Sequence, residues 1–365
     1  MPLNHWYAAC FSSALGSRTV LGRVMLGVPV VLFRGPDGAP AALPDRCPHR
    51  NVPLSLGRCT AGTLQCAYHG WRFASDGTCV EVPGQPIAAE RPSYGQIPSY
   101  PVLERDGVVW VVPTGEQPRT AAPPALPHVG DASYTIVRQT ASLPGGAVAA
   151  IENALDVPHT AFLHRGLLRG RHRRVPIEVI VRRGPQSVEA EYVGEPVPPG
   201  LVARVLTPHG GVVEHVDRFL APSLAQVEYR LGPSHLVITT AFTPTDADTT
   251  ALHATVAFRS LLPGRVVAAV ASPIAHRILA QDSRMLGHQR DNIARFGGEH
   301  FVDTPLDLLR PHILDLLART PELGLISRPM GREISPGSEQ GEDAKVEGSE
   351  ESDGLVEVHR LTMYL

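Results

Sequence analysis

Long apolar runs are missing from this 365-residue chain. Even Leu261 to Ala271 is interrupted by Pro263 and Arg265, well short of the roughly 18 apolar residues that mark a membrane span, so no membrane partner is expected. The opening Met1-Pro2-Leu3-Asn4-His5-Trp6 lacks a basic segment followed by an apolar one, hence no secretory signal is visible and a cytoplasmic location is expected. Cysteine is scarce, at 5 residues, which is too few for a disulfide scaffold in a chain this long. No G-x-G-x-x-G follows a strand-like run, so the chain carries no visible flavin or nicotinamide fold of its own. Lysine is reduced to Lys345 alone.

That lysine sits among seven acids in residues 338 to 354, a segment of net charge -6 in a chain of net -3. The remainder therefore carries -3 minus -6, or +3, and all of its basic charge is arginine. A nucleic-acid partner would need clustered basic charge without compensating acids, and none is expected. Arg46, Arg50, Arg58 and Arg72 form at most a modest basic patch, suited to docking an acidic electron donor if it is more than solvated surface.

What the chain does have is a pair of mixed loops. Cys47-Pro48-His49-Arg50 is followed, after fifteen residues, by Cys66-Ala67-Tyr68-His69-Gly70-Trp71. A zinc finger usually takes two like ligands from each knuckle. Here each loop offers one sulfur and one imidazole, the order required when two Cys hold one iron and two His the other. The stretch resembles the Rieske domain of the Rieske non-haem iron oxygenases, and the match continues through Leu54-Ser55, Gly57, Gly62, Leu64, Trp71-x-Phe73, Gly77 and Pro83-Gly84. Asn51 stands where that family commonly has Gly, a position suggesting positive φ, which Asn tolerates. Ala67 replaces a frequent Pro.

The resemblance implies that Cys47 and Cys66 bind one iron of a [2Fe-2S] cluster and His49 and His69 the other. Cys10, Cys59 and Cys79 then remain as buried or free thiols. Because Cys59 and Cys79 lie outside both loops, the chain sides with the oxygenases rather than with the disulfide-bearing quinol-oxidising proteins.

A second constellation reads Glu152-Asn153-Ala154-Leu155-Asp156-Val157-Pro158-His159-Thr160-Ala161-Phe162-Leu163-His164. Two His and a nearby acid suit non-haem Fe(II), which two His and one carboxylate bind on one face. Residues five apart on an ideal helix point about 140° from one another, so both imidazoles can meet one metal only if the helix ends or bulges between them. The segment resembles the oxygenases' Asn-x2-Asp-x2-His-x4-His motif. By that resemblance His159 and His164 are iron ligands, and Asp156 is the acid linking the two metal centres. The third ligand is expected in Gln281-Asp282-Ser283-Arg284-Met285-Leu286-Gly287-His288-Gln289, with Asp282 preferred over Asp291, Glu299 and Asp303. His5, His215, His253 and His288 are taken as structural or exposed, although His288 could approach the site.

The fold expected is α+β, with an N-terminal all-β Rieske [2Fe-2S] domain followed by a helix-grip (START-like) antiparallel-sheet catalytic domain. Strands are predicted at Thr19 to Leu26, Val30 to Arg34 and Gly107 to Val112, then a Pro-rich joint from Pro113 to Pro127. Further strands are predicted at Tyr134 to Leu143, Val175 to Arg183, Ser187 to Val193, Gly211 to Leu220, Leu224 to Leu231, His235 to Thr243 and Thr249 to Leu261. Helices are predicted at Gly146 to Leu155, at Val266 to Phe296 with a break at Pro273, and within Pro305 to Arg319. Ser335 to Gly354 reads as disordered, and Val356 to Leu365 as a strand that docks.

Three segments follow: 1–115 the cluster domain, 116–330 the catalytic domain with a mononuclear Fe(II), and 331–365 an acidic tail. The resemblance implies a terminal oxygenase that takes electrons from a separate reductase or ferredoxin, uses O2 to hydroxylate, oxidatively demethylate or dihydroxylate a hydrophobic, aromatic or polycyclic substrate, and assembles as a homotrimer. The alternation of apolar residues from Val212 to Phe258 adds the expectation of a pocket with an apolar sheet wall. The rival readings are an electron-transfer or ligand-binding protein that keeps only the Rieske centre, which should have lost a triad ligand, and a structural zinc protein.

Overall fold

Strand β3 (Val28–Arg34) shows why the N-terminal part of the chain reads as short apolar runs. Successive side chains on a strand point to opposite faces, and here Val31 and Phe33 enter one core while Val30 and Leu32 enter another. A strand buried on both faces cannot alternate in polarity. The computed structural model describes residues 1–85, 95–165, 167, 174–196, 213–261, 263–319 and 355–364. The chain divides into two compact units, Met1–Ala147 with Thr239–Ala257, and Val148–Ile238 with Phe258–Leu365.

The first unit holds three small antiparallel sheets. β1 (Tyr7–Phe11) pairs with β10 (Val108–Val111), which pairs with β9 (Val102–Arg105). β2 (Leu21–Met25), β3 and β4 (Pro40–Pro44) make the second sheet. β5 (Arg58–Thr60), β6 (Thr63–Gln65), β7 (Arg72–Phe73) and β8 (Cys79–Glu81) make the third. All five cysteines are buried and none is in a disulfide, as expected for Cys10, Cys59 and Cys79.

The two mixed loops leave β4 and β6 and close by the same pair of backbone bonds. Cys47 N–H donates to Val52 O at 2.9 Å and Asn51 N–H to Cys47 O at 2.9 Å; Cys66 N–H donates to Trp71 O at 2.8 Å and Gly70 N–H to Cys66 O at 3.2 Å. In each loop the fifth residue must turn through positive φ, +60° at Asn51 and +77° at Gly70. The expectation for Asn51 is met.

An eight-stranded sheet runs in the order β11-β17-β16-β15-β14-β13-β12-β18. Its strands are β11 (Thr135–Pro144), β12 (Arg174–Arg183), β13 (Ser187–Val193), β14 (Val213–Leu220), β15 (Leu224–Leu231), β16 (Ser234–Pro244), β17 (Thr249–Arg259) and β18 (Leu355–Tyr364). The C-terminal strand docks as predicted, pairing antiparallel with β12 from Arg174↔Tyr364 to Arg183↔Leu355. Residues 335–354, read as disordered, lie outside the described residues.

Three α-helices are described: α1 (Ala147–Leu155), α2 (Gly264–Phe296) and α3 (Arg310–Ala318). Helix α2 is continuous over 33 residues, so the expected break at Pro273 does not occur. A proline removes one intrahelical donor, and here the flanking turns outweigh that loss; Gly297 ends the helix at φ +80°. Helix α3 starts later than predicted. Asp307 Oδ2 accepts the Thr304 N–H at 2.7 Å and hydroxyl at 2.8 Å, a local turn that competes with the helix.

The loop geometry makes a prediction. A Cβ on Gly70 would sit 3.0 Å from Pro83 Cγ on a backbone of positive φ. Gly70→Ala should therefore lower stability by about 1–2 kcal/mol in denaturant unfolding, whereas Asn51→Gly should cost no more than about 1 kcal/mol, for the lost bond to Arg46.

Candidate metal centres

Helix α1 ends at Leu155, and a 3-10 turn, Pro158–Ala161, follows at once. Proline fits the first turn of a helix because its missing N–H has no partner to lose there. The ending satisfies the condition that a His-x4-His pair requires. The His159 carbonyl accepts from both Phe162 N–H at 3.0 Å and Leu163 N–H at 2.8 Å, which tightens the chain and brings His164 back toward His159. The two Nε2 atoms lie 3.2 Å apart. Asp282 reaches them from α2, with Oδ1 at 2.9 Å from His164 Nε2 and 3.7 Å from His159 Nε2. The three residues expected to act together are thus brought together.

Metal bonds of about 2.1 Å at right angles put neighbouring ligand atoms about 3 Å apart. The observed spacings fit one ion held on one face. The protons point the same way. Gln281 Oε1 lies 3.0 Å from His164 Nδ1 and can only accept, so Nδ1 carries the proton and Nε2 offers its lone pair to the site. Asp282 Oδ1 is buried with no aligned donor. Burial works against the charged form of His164, but the Asp282 carboxylate beside it and the Gln281 amide oxygen prevail and raise its pKa. These side chains already draw positive charge to the place a cation would occupy.

On the outer side of His159, Nδ1 lies 3.4 Å from Asp156 Oδ2. The contact is close without being an aligned hydrogen bond, since His159 Nδ1 is buried and unpaired. A cavity of about 650 Å³ opens on both residues. Helix α1, residues 155–163, Met285, Leu286 and Gln289 of α2, and residues 306–313 line it. Among the described residues of the strands Tyr192 alone lines it, so the expected apolar sheet wall is not found there. Buried positions of β14 and β15 instead include the polar His215, Asp217 and Gln226.

The acids weighed against Asp282 are elsewhere. Asp291 pairs with Arg290 at 2.8 Å, Asp303 with Arg310 at 2.9 Å, and Glu299 is exposed. His288 is exposed as well and takes no part. Gln281 is the functional residue that motif reading passed over. Its only signal was an amide directly before Asp282, and its role depends on a contact 117 residues away in sequence.

In the N-terminal unit the two loops bring Cys47, Cys66, His49 and His69 to one tip. Both cysteines are buried, and the His49 and His69 ring centroids are 4.5 Å apart. Trp71 stacks on His49 at 5.0 Å and 6°, which fixes the imidazole plane. His49 Nδ1 is buried and has no hydrogen-bond partner. Burial pushes the Cys47 thiol up to about 11 against the backbone N–H groups of His49 and Arg50 that point at its sulfur, and the adjacent Cys66 adds to the rise. Two soft sulfurs and two imidazoles are the donor set of a Rieske cluster.

Each group of residues lies within a segment that matches a known family. Residues 5–101 match the Rieske [2Fe-2S] domain family, and residues 147–315 match the vanillate O-demethylase oxygenase C-terminal domain family. The chain belongs to the Rieske non-haem iron oxygenases. As a member it carries a [2Fe-2S] domain and a mononuclear iron centre. One relative is the dicamba O-demethylase oxygenase component of Stenotrophomonas maltophilia, 38% identical over 185 residues, 50% of this chain and 53% of that protein. Another is the vanillate O-demethylase oxygenase subunit of Pseudomonas sp. (strain HR199 / DSM 7063), 30% identical over 252 residues, 64% of this chain and 66% of the other. The chain thus spans about half the length of the first relative. Dicamba monooxygenase bound to 3,6-dichlorosalicylic acid shares the fold, with a TM-score of 0.74 and 24% identity over 87% of this chain and 97% of that one. Among the described residues of this Rieske oxygenase, no helix is long and apolar enough to cross a membrane.

The Gln281 contact is testable. Gln281→Leu removes the acceptor that orients His164 and should weaken mononuclear iron binding about 10- to 100-fold. Metal titration reads the loss, and the visible absorption of the cluster should not change.

Proposed function

We propose that the chain is the terminal oxygenase of a multi-component Rieske system, a monooxygenase that hydroxylates or oxidatively demethylates an aromatic or polycyclic substrate. His159, His164 and Asp282 hold the Fe(II), Cys47 with Cys66 and His49 with His69 hold the cluster, and Asp156 connects the two. The carrying observation is the convergence of His159 Nε2, His164 Nε2 and Asp282 Oδ1 in a chain that also has a Rieske domain. An electron carrier that had abandoned oxygen chemistry would have no reason to keep that triad. When bound, the cluster passes electrons singly and the mononuclear iron supplies the O2 chemistry. The balance is one O2, two electrons and two protons, giving one oxygen atom in product and one in water. On a methoxyarene the products are a phenol, formaldehyde and water. The names of the dicamba and vanillate relatives support demethylation.

The electron donor is a separate reductase or ferredoxin with an acidic face. Residues 46–75 contain no Asp or Glu. Arg72 is neutralised by Glu81 at 2.9 Å, but among the described residues Arg46 and Arg58 hydrogen-bond to the amides of Asn51 and Gln65, and Arg50 has no carboxylate partner. The five unpaired cysteines support a reducing, cytoplasmic setting. The domain division at 115 and 330 belongs to the same proposal.

Its quaternary form is a homotrimer in which His69 or His49 of one chain faces Asp156 of the next. The exposure of Asp156 favours this, since 43% of its side chain remains accessible while it touches His159. A head-to-tail contact that closes on itself gives a ring.

Three experiments test the reading. Iron-loaded protein with a surrogate reductase should hold about three irons and two labile sulfides per chain and form product from methoxyarenes with O2 uptake. Asp282→Ala should abolish product and remove about one iron; normal turnover by that variant would refute the ligand set. Asp156→Asn should keep metals and assembly while greatly slowing electron transfer from reduced cluster to iron in single-turnover experiments. Undiminished transfer, or full activity from a monomer, would overturn the trimer.

A further inference from the structure

The register of three neighbouring strands places Tyr192 of β13 opposite His215 of β14, and His215 opposite Tyr229 of β15. Residues directly across an antiparallel pair project from the same face, so the three rings form one rung. Tyr192 stacks on the His215 imidazole at 4.5 Å and 16°, and Tyr229 stacks on it from the other strand at 4.1 Å and 14°. Both edges of the imidazole are held too. Glu195 Oε2 lies 2.7 Å from Nδ1 and Asp217 Oδ1 lies 2.9 Å from Nε2.

Ionised carboxylates only accept hydrogen bonds, so both ring nitrogens carry protons and His215 is a cation. Its complete burial works against charge, yet the two carboxylates prevail and raise its pKa to about 9. The positions are buried throughout, with His215 1%, Asp217 1% and Glu195 4% exposed. A cation clamped at both nitrogens cannot rotate, and its attraction for the tyrosine faces fixes those rings in turn. Tyr192 is the member of the rung that lines the cavity containing His159.

We infer that Tyr192 is a specificity-determining residue of that cavity, a ring held ready to contact an aromatic substrate, and that Glu195, His215 and Asp217 are its positioning residues. The inference rests on the oxygenase reading for the cavity's role as substrate space. A pre-oriented ring loses little freedom when a flat ligand binds, which favours arenes over saturated rings of like size.

The test titrates the iron-loaded holoprotein, without oxygen, by calorimetry with anisole and 4-methoxybenzoate and with their cyclohexyl counterparts. The unmodified protein should prefer the arenes by about three- to tenfold. Tyr192→Phe, which keeps the ring, should retain the preference, and Tyr192→Leu should lose it. His215→Gln should weaken arene binding several-fold while cyclohexyl binding, cluster absorption and iron content stay constant, a selectivity change that a purely structural role would not produce. If His215→Gln does not fold, the Tyr192 pair decides. Absence of arene preference in the unmodified protein, or its survival in Tyr192→Leu, overturns the inference. Tyr192-dependent arene binding without O2-dependent product would sustain the binding role and sink the oxygenase reading; product formation with Tyr192→Leu unaltered in selectivity would do the reverse.

Discussion

Three lone pairs cannot share a dry corner of a protein without positive charge between them, and this constraint organises the second unit. His159 Nε2, His164 Nε2 and Asp282 Oδ1 lie 2.9 to 3.7 Å apart. Every neighbour acts to keep them so. Helix α1 stops at Leu155 so that the two imidazoles can turn inward, Gln281 takes the proton side of His164, and Asp156 stands against the outer nitrogen of His159. A buried carboxylate is expensive unless paired, so the arrangement favours a cation among the three atoms.

The cluster loops solve a similar problem with backbone rather than side chains. Cys47 and Cys66 each accept the N–H of the residue four positions on and donate to the carbonyl five positions on. That repeated closure brings two sulfurs and two imidazoles to one tip although the loops differ in ligand spacing, Cys-x-His in one and Cys-x2-His in the other. The left-handed turn at Asn51 and Gly70 is the local cost. Both residues bear it more cheaply than a β-branched one would.

Among the described residues, the eight-stranded sheet meets the cavity through Tyr192. The buried charge of His215 and Asp217 on β14 and of Glu195 just after β13 is compensated internally, and the rung of Tyr192, His215 and Tyr229 ties that charge to the cavity beside His159. Buried polar groups are tolerated when fully hydrogen-bonded, and they then rigidify what they touch. Arg310 pairs with Glu152 and Asp303 beside the cavity.

Much of this could be read from the chain alone. The Cys and His order in residues 47–69, the Asn153 to His164 motif and Asp282 were legible because metal ligation demands particular donor atoms at particular spacings. The strands of the sheet, including the final one, were legible because a two-residue period survives without knowledge of neighbours. Tertiary structure alone decided the rest. Pro273 leaves α2 unbroken because the helix around it is long enough to outweigh one lost bond, and Asp307 shortens α3 through a turn with Thr304. Gln281, Tyr192 and His215 acquire their roles only when strands and helices distant in sequence are set side by side. Position along the chain tells what a residue can donate, but the partner that makes the donation useful is chosen by packing.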